Sequence, residues 1–156
     1  MTPLWRPSTK QEHDESLKRF MKRFNEAHPS DIAMQIWAEE QFVYDGVINL
    51  WGVLVHFDWE KRHDWRGSKF IYDTLGQFER KFDHEKHIEL TIQSNMDDTH
   101  FVVAWHSDFN EVVDVFRNTN YQYEEEGKMR TTHKFQTFNY QEMAQFKTWL
   151  LRTYRR

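Results

Sequence analysis

The sequence predicts an α+β fold: a central mixed or antiparallel β-sheet flanked by N-terminal and C-terminal helices. Three observations predict it. Helical spacing of apolar residues is clearest near the two ends, at Leu17, Phe20, Met21 and Phe24 and at Met143, Phe146, Trp149 and Leu150. From Val47 to His106 the apolar period falls mainly to two, the period of a half-buried strand. The strand-like segments follow one another instead of alternating with helices, which argues against a doubly wound sheet.

Taken in order, Met1 to Pro7 is an irregular lead-in, and Thr9 with Glu12 forms a capping box for a helix over Lys10 to Ala27. His28-Pro29-Ser30 breaks that helix. Ser30 or Asp31 is placed to cap a second helix carrying Ile32, Ile36 and Trp37 and ending near Tyr44, before the turn pair Asp45-Gly46. Val47 to Trp51 and Val53 to Glu60 read as strands meeting at Gly52, and Lys69 to Leu75 as a further strand. Gln77 to Lys86 is polar and has no clear period. Ile88 to Gln93 and Phe101 to His106 read as a hairpin across the turn Ser94 to Asp98. Asp108 with Glu111 suggests a cap for a short helix with Phe109, Val112, Val113 and Phe116. Tyr121 to Glu124 and Met129 to Phe138 flank Glu126-Gly127 as a second hairpin, and Asn139 with Glu142 caps the final helix.

At 156 residues the chain is long enough for one domain, spanning 1–156, with its own core. Aromatics make up 17% of the chain, so that core is expected to be built largely from rings. No run approaches the roughly 20 apolar residues that cross a bilayer, and no apolar leader stands at the N-terminus. The expectation is a cytoplasmic protein that does not enter membranes, or a viral one in its host's cytoplasm. The absence of cysteine removes disulfides and thiolate metal sites. A net charge of −4 argues against coating nucleic acid by charge alone, but not against an enzyme acting on it. Neither a Gly-rich phosphate loop nor a GxSxG motif is present.

The stretch Leu50 to Glu60 carries the chemistry. Along a strand His56, Asp58 and Glu60 share one face, and Val55, Phe57 and Trp59 share the other. Two carboxylates and an imidazole on a mostly buried strand need compensation, and a divalent cation would supply it. With Asp45, thirteen residues before Asp58 in the chain, these oxygens suit Mg²⁺ or Mn²⁺. Asp45, Asp58, Glu60 and His56 are therefore the candidate metal ligands. Nine histidines are present without HExxH spacing, and His84 with His87 reads as a solvated run. Glu89, Thr91 and Gln93 share a face of the Ile88 strand and could orient a water or a second ion if that strand lies beside Asp58.

At these residues, over Asp31 to Gln93, the chain resembles the PD-(D/E)XK nuclease superfamily. Tyr44-Asp45 stands where the family has Pro-Asp, and Asp58-Trp59-Glu60 where it has (D/E)-X-K. The proline is replaced by Tyr44 and the lysine by Glu60, so the family's lysine must come from elsewhere. The resemblance implies a restriction-endonuclease-like core, an assisting acid at Glu39 or Glu40, and Lys81 or Lys69 polarising the attacking water. Its implied activity is phosphodiester hydrolysis of DNA or RNA. Independently of it, Arg62, Arg66, Lys69, Arg80 and Lys81 surround the candidate site in sequence and could contact phosphates. From a different class comes a non-catalytic α+β binding protein of viral or mobile-element type. Seven Trp, thirteen Phe and six Tyr would give it an aromatic surface for a host protein or a second copy.

Overall fold

The protein is described here by a computed structural model, in which residues 7–36, 44–83, 87–115 and 127–154 are described. The fold is α+β. Its elements are α1 (Pro7–Glu26), β1 (Ala33–Ile36), β2 (Gly46–Leu50), β3 (Val53–Lys61), β4 (Leu75–Phe78), β5 (Leu90–Ser94), β6 (His100–Trp105), β7 (Glu111–Val115), β8 (Gly127–Thr132), β9 (Gln136–Asn139) and α2 (Met143–Thr153). Six strands form a mixed sheet in the order β1-β2-β3-β5-β6-β9, and β4-β8-β7 form a smaller one. No helix among the described residues is long and apolar enough to cross a membrane.

Both helices pack on one face of the large sheet. Leu17, Phe20 and Phe24 of α1 and Phe146 and Leu150 of α2 meet Val55, Phe57 and Trp59 of β3, with Leu90, Ile92, Phe101 and Val103 alongside. The rings meet largely edge to face, as Phe20 does with Phe101 at 4.9 Å between centroids. The one ammonium within this layer, Lys147, is buried and donates to the carbonyls of Ala27 and Pro29 at 2.8 and 2.9 Å. It thus places a cation at the carbonyl end of α1, where the helix dipole favours one.

The opposite face is covered by the small sheet. Trp65, Leu75, Val102, Ala104 and Phe109 form a second core there. The turn joining β2 to β3 has two residues, Trp51 and Gly52, at φ 49° and 97°. Gly52 takes the left-handed conformation such hairpins need at little steric cost. β3 then pairs antiparallel with β2 and parallel with β5, and the connection between β3 and β5 carries β4 across the polar face.

Several expectations are corrected, among them the single strand over Met129 to Phe138, which is instead β8 in the small sheet and β9 in the large one. Ile32, Met34 and Ile36 fit a period of two as well as Ile32 and Ile36 fit a helix, and 33–36 is the edge strand β1. Asn25 fixes it there, its amide bonding both the N–H and the C=O of Met34. The later part of that expected helix, 37–43, lies outside the described residues. The segment after Asp108 is also a strand: Glu111–Val115 carries three valines, and β-branched residues favour a ladder. Lys69 to Leu75 is irregular until Leu75; Phe70 packs on Trp65 and Phe135, and Tyr72 donates to Asp64. The final capping box is present, with Glu142 accepting from the Asn139 N–H at 2.7 Å, but its first turn is 3₁₀. α1 begins at Pro7, two residues ahead of the expected Thr9 cap. Phe116 and Tyr121 to Glu124 lie outside the described residues.

Candidate active site

The polar face of β3 is built by register. Gly46 pairs with Phe57, which brings Asp45, one residue earlier, level with Asp58 across the hairpin. Gly46 is required at this point, because a Cβ would stand 2.4 Å from the Gln35 carbonyl oxygen and 2.7 Å from the Phe57 ring. The Asp45 N–H donates to the Phe57 carbonyl at 3.0 Å, and Asp45 Oδ2 accepts from the Trp59 N–H at 2.7 Å. On the other side Asp58 pairs with Thr91 and Glu60 with Gln93. The strand of Glu89, Thr91 and Gln93, expected to orient a water or a second ion, is thus the neighbour of β3.

Asp58 is buried, its side chain 5% exposed. Its Oδ1 accepts from Lys81 Nζ at 3.0 Å and its Oδ2 from Gln77 Nε2 at 3.1 Å. Lys81 comes from the 3₁₀ turn Glu79–Phe82 that follows β4. Gln77 Nε2 also lies 3.4 Å from Thr91 Oγ1, and Thr91 Oγ1 lies 2.6 Å from His106 Nε2. Gln93 is engaged at both ends, accepting from Arg62 Nη1 and donating to the Gly76 carbonyl, so it anchors β4 instead of orienting a water. One network therefore runs Lys81–Asp58–Gln77–Thr91–His106 beneath the small sheet.

The electrostatics follow from the crowding. Burial, and then the Asp58 charge, hold the Asp45 carboxyl well above its ordinary range. The same two causes push Glu60 up to about 7, against the pull of Lys81, Arg62 and Arg80. Burial alone would lower Lys81, but Asp58 and Asp45 outweigh it and keep the ammonium protonated. Burial pushes His106 down to about 4, so its imidazole is neutral at pH 7. Three acids thus crowd around one cation that is bonded directly to Asp58, and Asp45 and Glu60 respond by holding their protons more tightly.

The remaining predicted residues fall as follows. His56 shares the face of Asp58, but its ring stacks on Tyr44 at 4.3 Å between centroids and its Nδ1 lies 3.1 Å from the His87 carbonyl. Lys69 is exposed in the loop after β3, and no ion pair among the described residues joins it to the acids. Glu39 and Glu40 lie outside the described residues, as does His84. Asp108 belongs to a 3₁₀ turn, His106–Asp108, and pairs with Lys134 at 3.7 Å. Gln77 and His106 are the network members that sequence reasoning gave no role at the site. The alternation of buried Leu75 and Gln77 could have pointed to Gln77 had β4 been recognised.

The chemistry of the donors suits a hard cation. All are carboxylate oxygens, and Mg²⁺ commonly takes one or two carboxylates and keeps several waters. Among the described residues no three His, Cys, Asp or Glu side chains form a set that could hold one ion, so the protein's share would be the Asp45–Asp58 pair. Comparisons with protein-family models, with curated proteins and with solved structures return no match.

Proposed function

We propose that this protein is a metal-dependent phosphodiesterase acting on nucleic acid. The observation that carries the reading is the meeting of Asp45, Asp58 and Lys81, from three separate segments, in one cluster around the buried Asp58, with Glu60 beside it. Asp45 and Asp58 would hold Mg²⁺ or Mn²⁺. Such an ion lowers the pKa of a bound water and neutralises phosphate charge. Lys81 holds a fixed positive charge against Asp58, placed to polarise a water or to receive the charge developing on a phosphate. Glu60, titrating near neutrality, is suited to accept a proton. Gln77 fixes the second oxygen of Asp58 and so its orientation.

The test is Mn²⁺-dependent cleavage of single- and double-stranded DNA and RNA. Asp58→Asn is expected to lower the rate at least about 100-fold, in line with losing a group that places transition-state charge. Cleavage unchanged in Asp58→Asn, or no metal-dependent cleavage by the intact protein, overturns the reading. A second reading is favoured by the engagement of both Asp58 oxygens with protein donors. In it the protein is a non-catalytic α+β binding protein and the cluster only fastens the small sheet to the large one. Most described rings lie in the two cores; of the exposed large apolar side chains only Trp51 and Tyr72 are aromatic.

A further inference from the structure

The edge of the large sheet carries a second constructed feature. β9 pairs with β6 from His100↔Asn139 to Val103↔Gln136, so Ala104 and Trp105 run on past the start of β9. A cleft of about 740 Å³ opens there, within the usual range of small-ligand sites. The rings of Trp105 and Trp149 stack at 5.8 Å between centroids with 13° between planes. Trp149 and Arg152 line this cleft and also a neighbouring one of about 440 Å³, so they stand where the two meet. Arg152 is exposed and has no ion-pair partner among the described residues.

His106 lines the same cleft. Thr91 Oγ1 lies 2.6 Å from His106 Nε2, which leaves Nδ1 to meet the cleft, as a donor if Thr91 gives its proton to Nε2 and as an acceptor if Nε2 carries the proton. That Nδ1 is buried and has no hydrogen-bond partner among the described residues. A buried ring nitrogen without a hydrogen-bond partner is costly, and a ligand could supply the partner. The site thus offers an aromatic platform, a cation with no ion-pair partner among the described residues and a buried ring nitrogen.

We infer that this cleft binds a nucleotide, with the base on Trp149, the phosphate at Arg152 and a polar atom of the ligand meeting His106 Nδ1. Planar bases stack on tryptophan whatever their sequence, and an unpaired guanidinium suits phosphate. The choice of a nucleotide among aromatic anions rests on the phosphodiesterase reading. His106 links the two sites, since the hydrogen-bond network from Asp58 ends on it.

The test is isothermal titration calorimetry of the full chain in EDTA, with adenosine monophosphate, ribose 5-phosphate and a single-stranded adenine hexadeoxynucleotide as probes. Adenosine monophosphate and the hexamer are expected to bind, with ribose 5-phosphate at least about 10-fold weaker because it lacks the base. Arg152→Ala, at an exposed position, is expected to weaken binding roughly 10-fold, and Trp149→Ala by a similar factor or more. Tighter binding of the hexamer identifies a strand as the source of the nucleotide, and equal binding a free nucleotide. No binding of either up to about 10 mM, equal binding of ribose 5-phosphate, or indifference to both substitutions overturns the inference. Because metal is absent, failure here leaves metal-dependent cleavage standing, and failure of cleavage leaves this result standing.

Discussion

The two faces of β3 hold the molecule together in different ways. Toward the helices, Val55, Phe57 and Trp59 are buried among rings, and their cohesion is apolar burial with little directional demand. Toward the small sheet, Asp58 is as deeply buried, but it is held by one ammonium and one amide, each in a fixed position. On the first face a lost side chain leaves a cavity. On the second it leaves an unpaired charge, whose cost depends on pH and on any ion present. Position within one strand therefore decides whether a residue contributes packing or chemistry.

The comparison is broken most severely on the apolar face. Phe20 touches Trp59, Phe101, Tyr140 and Phe146, and Phe20→Ala is expected to cost about 3–5 kcal/mol in denaturant unfolding. That cost should be the same at pH 5.5 and pH 8, because no charge is uncovered. A cost that changes with pH would show that the two faces are not separate.

On the polar face Lys81→Met leaves Asp58 buried without its cation. The expected cost is about 3 kcal/mol at pH 8. It shrinks toward pH 5, since the orphaned carboxylates bind protons more tightly in the folded chain than in the unfolded one. Equal destabilisation at both pH values would mean that the ion pair contributes only packing.

Glu60 gives a smaller and more specific effect. Its folded pKa of about 7 lies above its ordinary value of 4.5, so between these values the folded chain holds a proton the unfolded chain has released. The intact protein should therefore lose stability relative to Glu60→Gln as pH rises through that window. The expected loss is about 2 kcal/mol, once the roughly 3 kcal/mol those two values imply is reduced for water reaching the partly exposed Glu60. His106 works the other way. Held near 4 against an ordinary 6.5, it destabilises the fold as pH falls from 6.5 toward 4. Comparing the intact protein with Glu60→Gln at each pH cancels the His106 contribution.

Alternation made the face shared by Asp58 and Glu60 legible in the sequence, and Gly52 marked the turn that brings Asp45 level with them. The terminal helices and the β5–β6 hairpin were legible for the same reason: a clear period bounded by turn residues. What the sequence hid depends on pairing between distant segments. Ile32 to Ile36 fits both periods, and only the Asn25 clamp and the β2 edge make it a strand. Val112 to Val115 had caps in front of it suited to a helix, and β8 outweighs them. Lys81 was nameable from the missing lysine of the motif. Gln77 and His106 were not, because Gln77 lies on β4 in a connection without a clear period, and His106 reaches the network only through Thr91, which the parallel β3–β5 pairing sets opposite Asp58.

The central claim is that the crowded carboxyls of Asp45 and Asp58 make a hard-cation site, the ion taking the place of the proton that their crowding holds. The most direct measurement is the melting temperature at pH 7.5 as Mn²⁺ or Mg²⁺ is added, for the intact protein and for Asp58→Asn. A ligand of the folded state at about 100 times its dissociation constant adds about 2.7 kcal/mol. The account predicts a saturable rise of several degrees in the intact protein and none in Asp58→Asn. Melting temperatures that ignore the ion in both proteins, or rise equally in both, would contradict it.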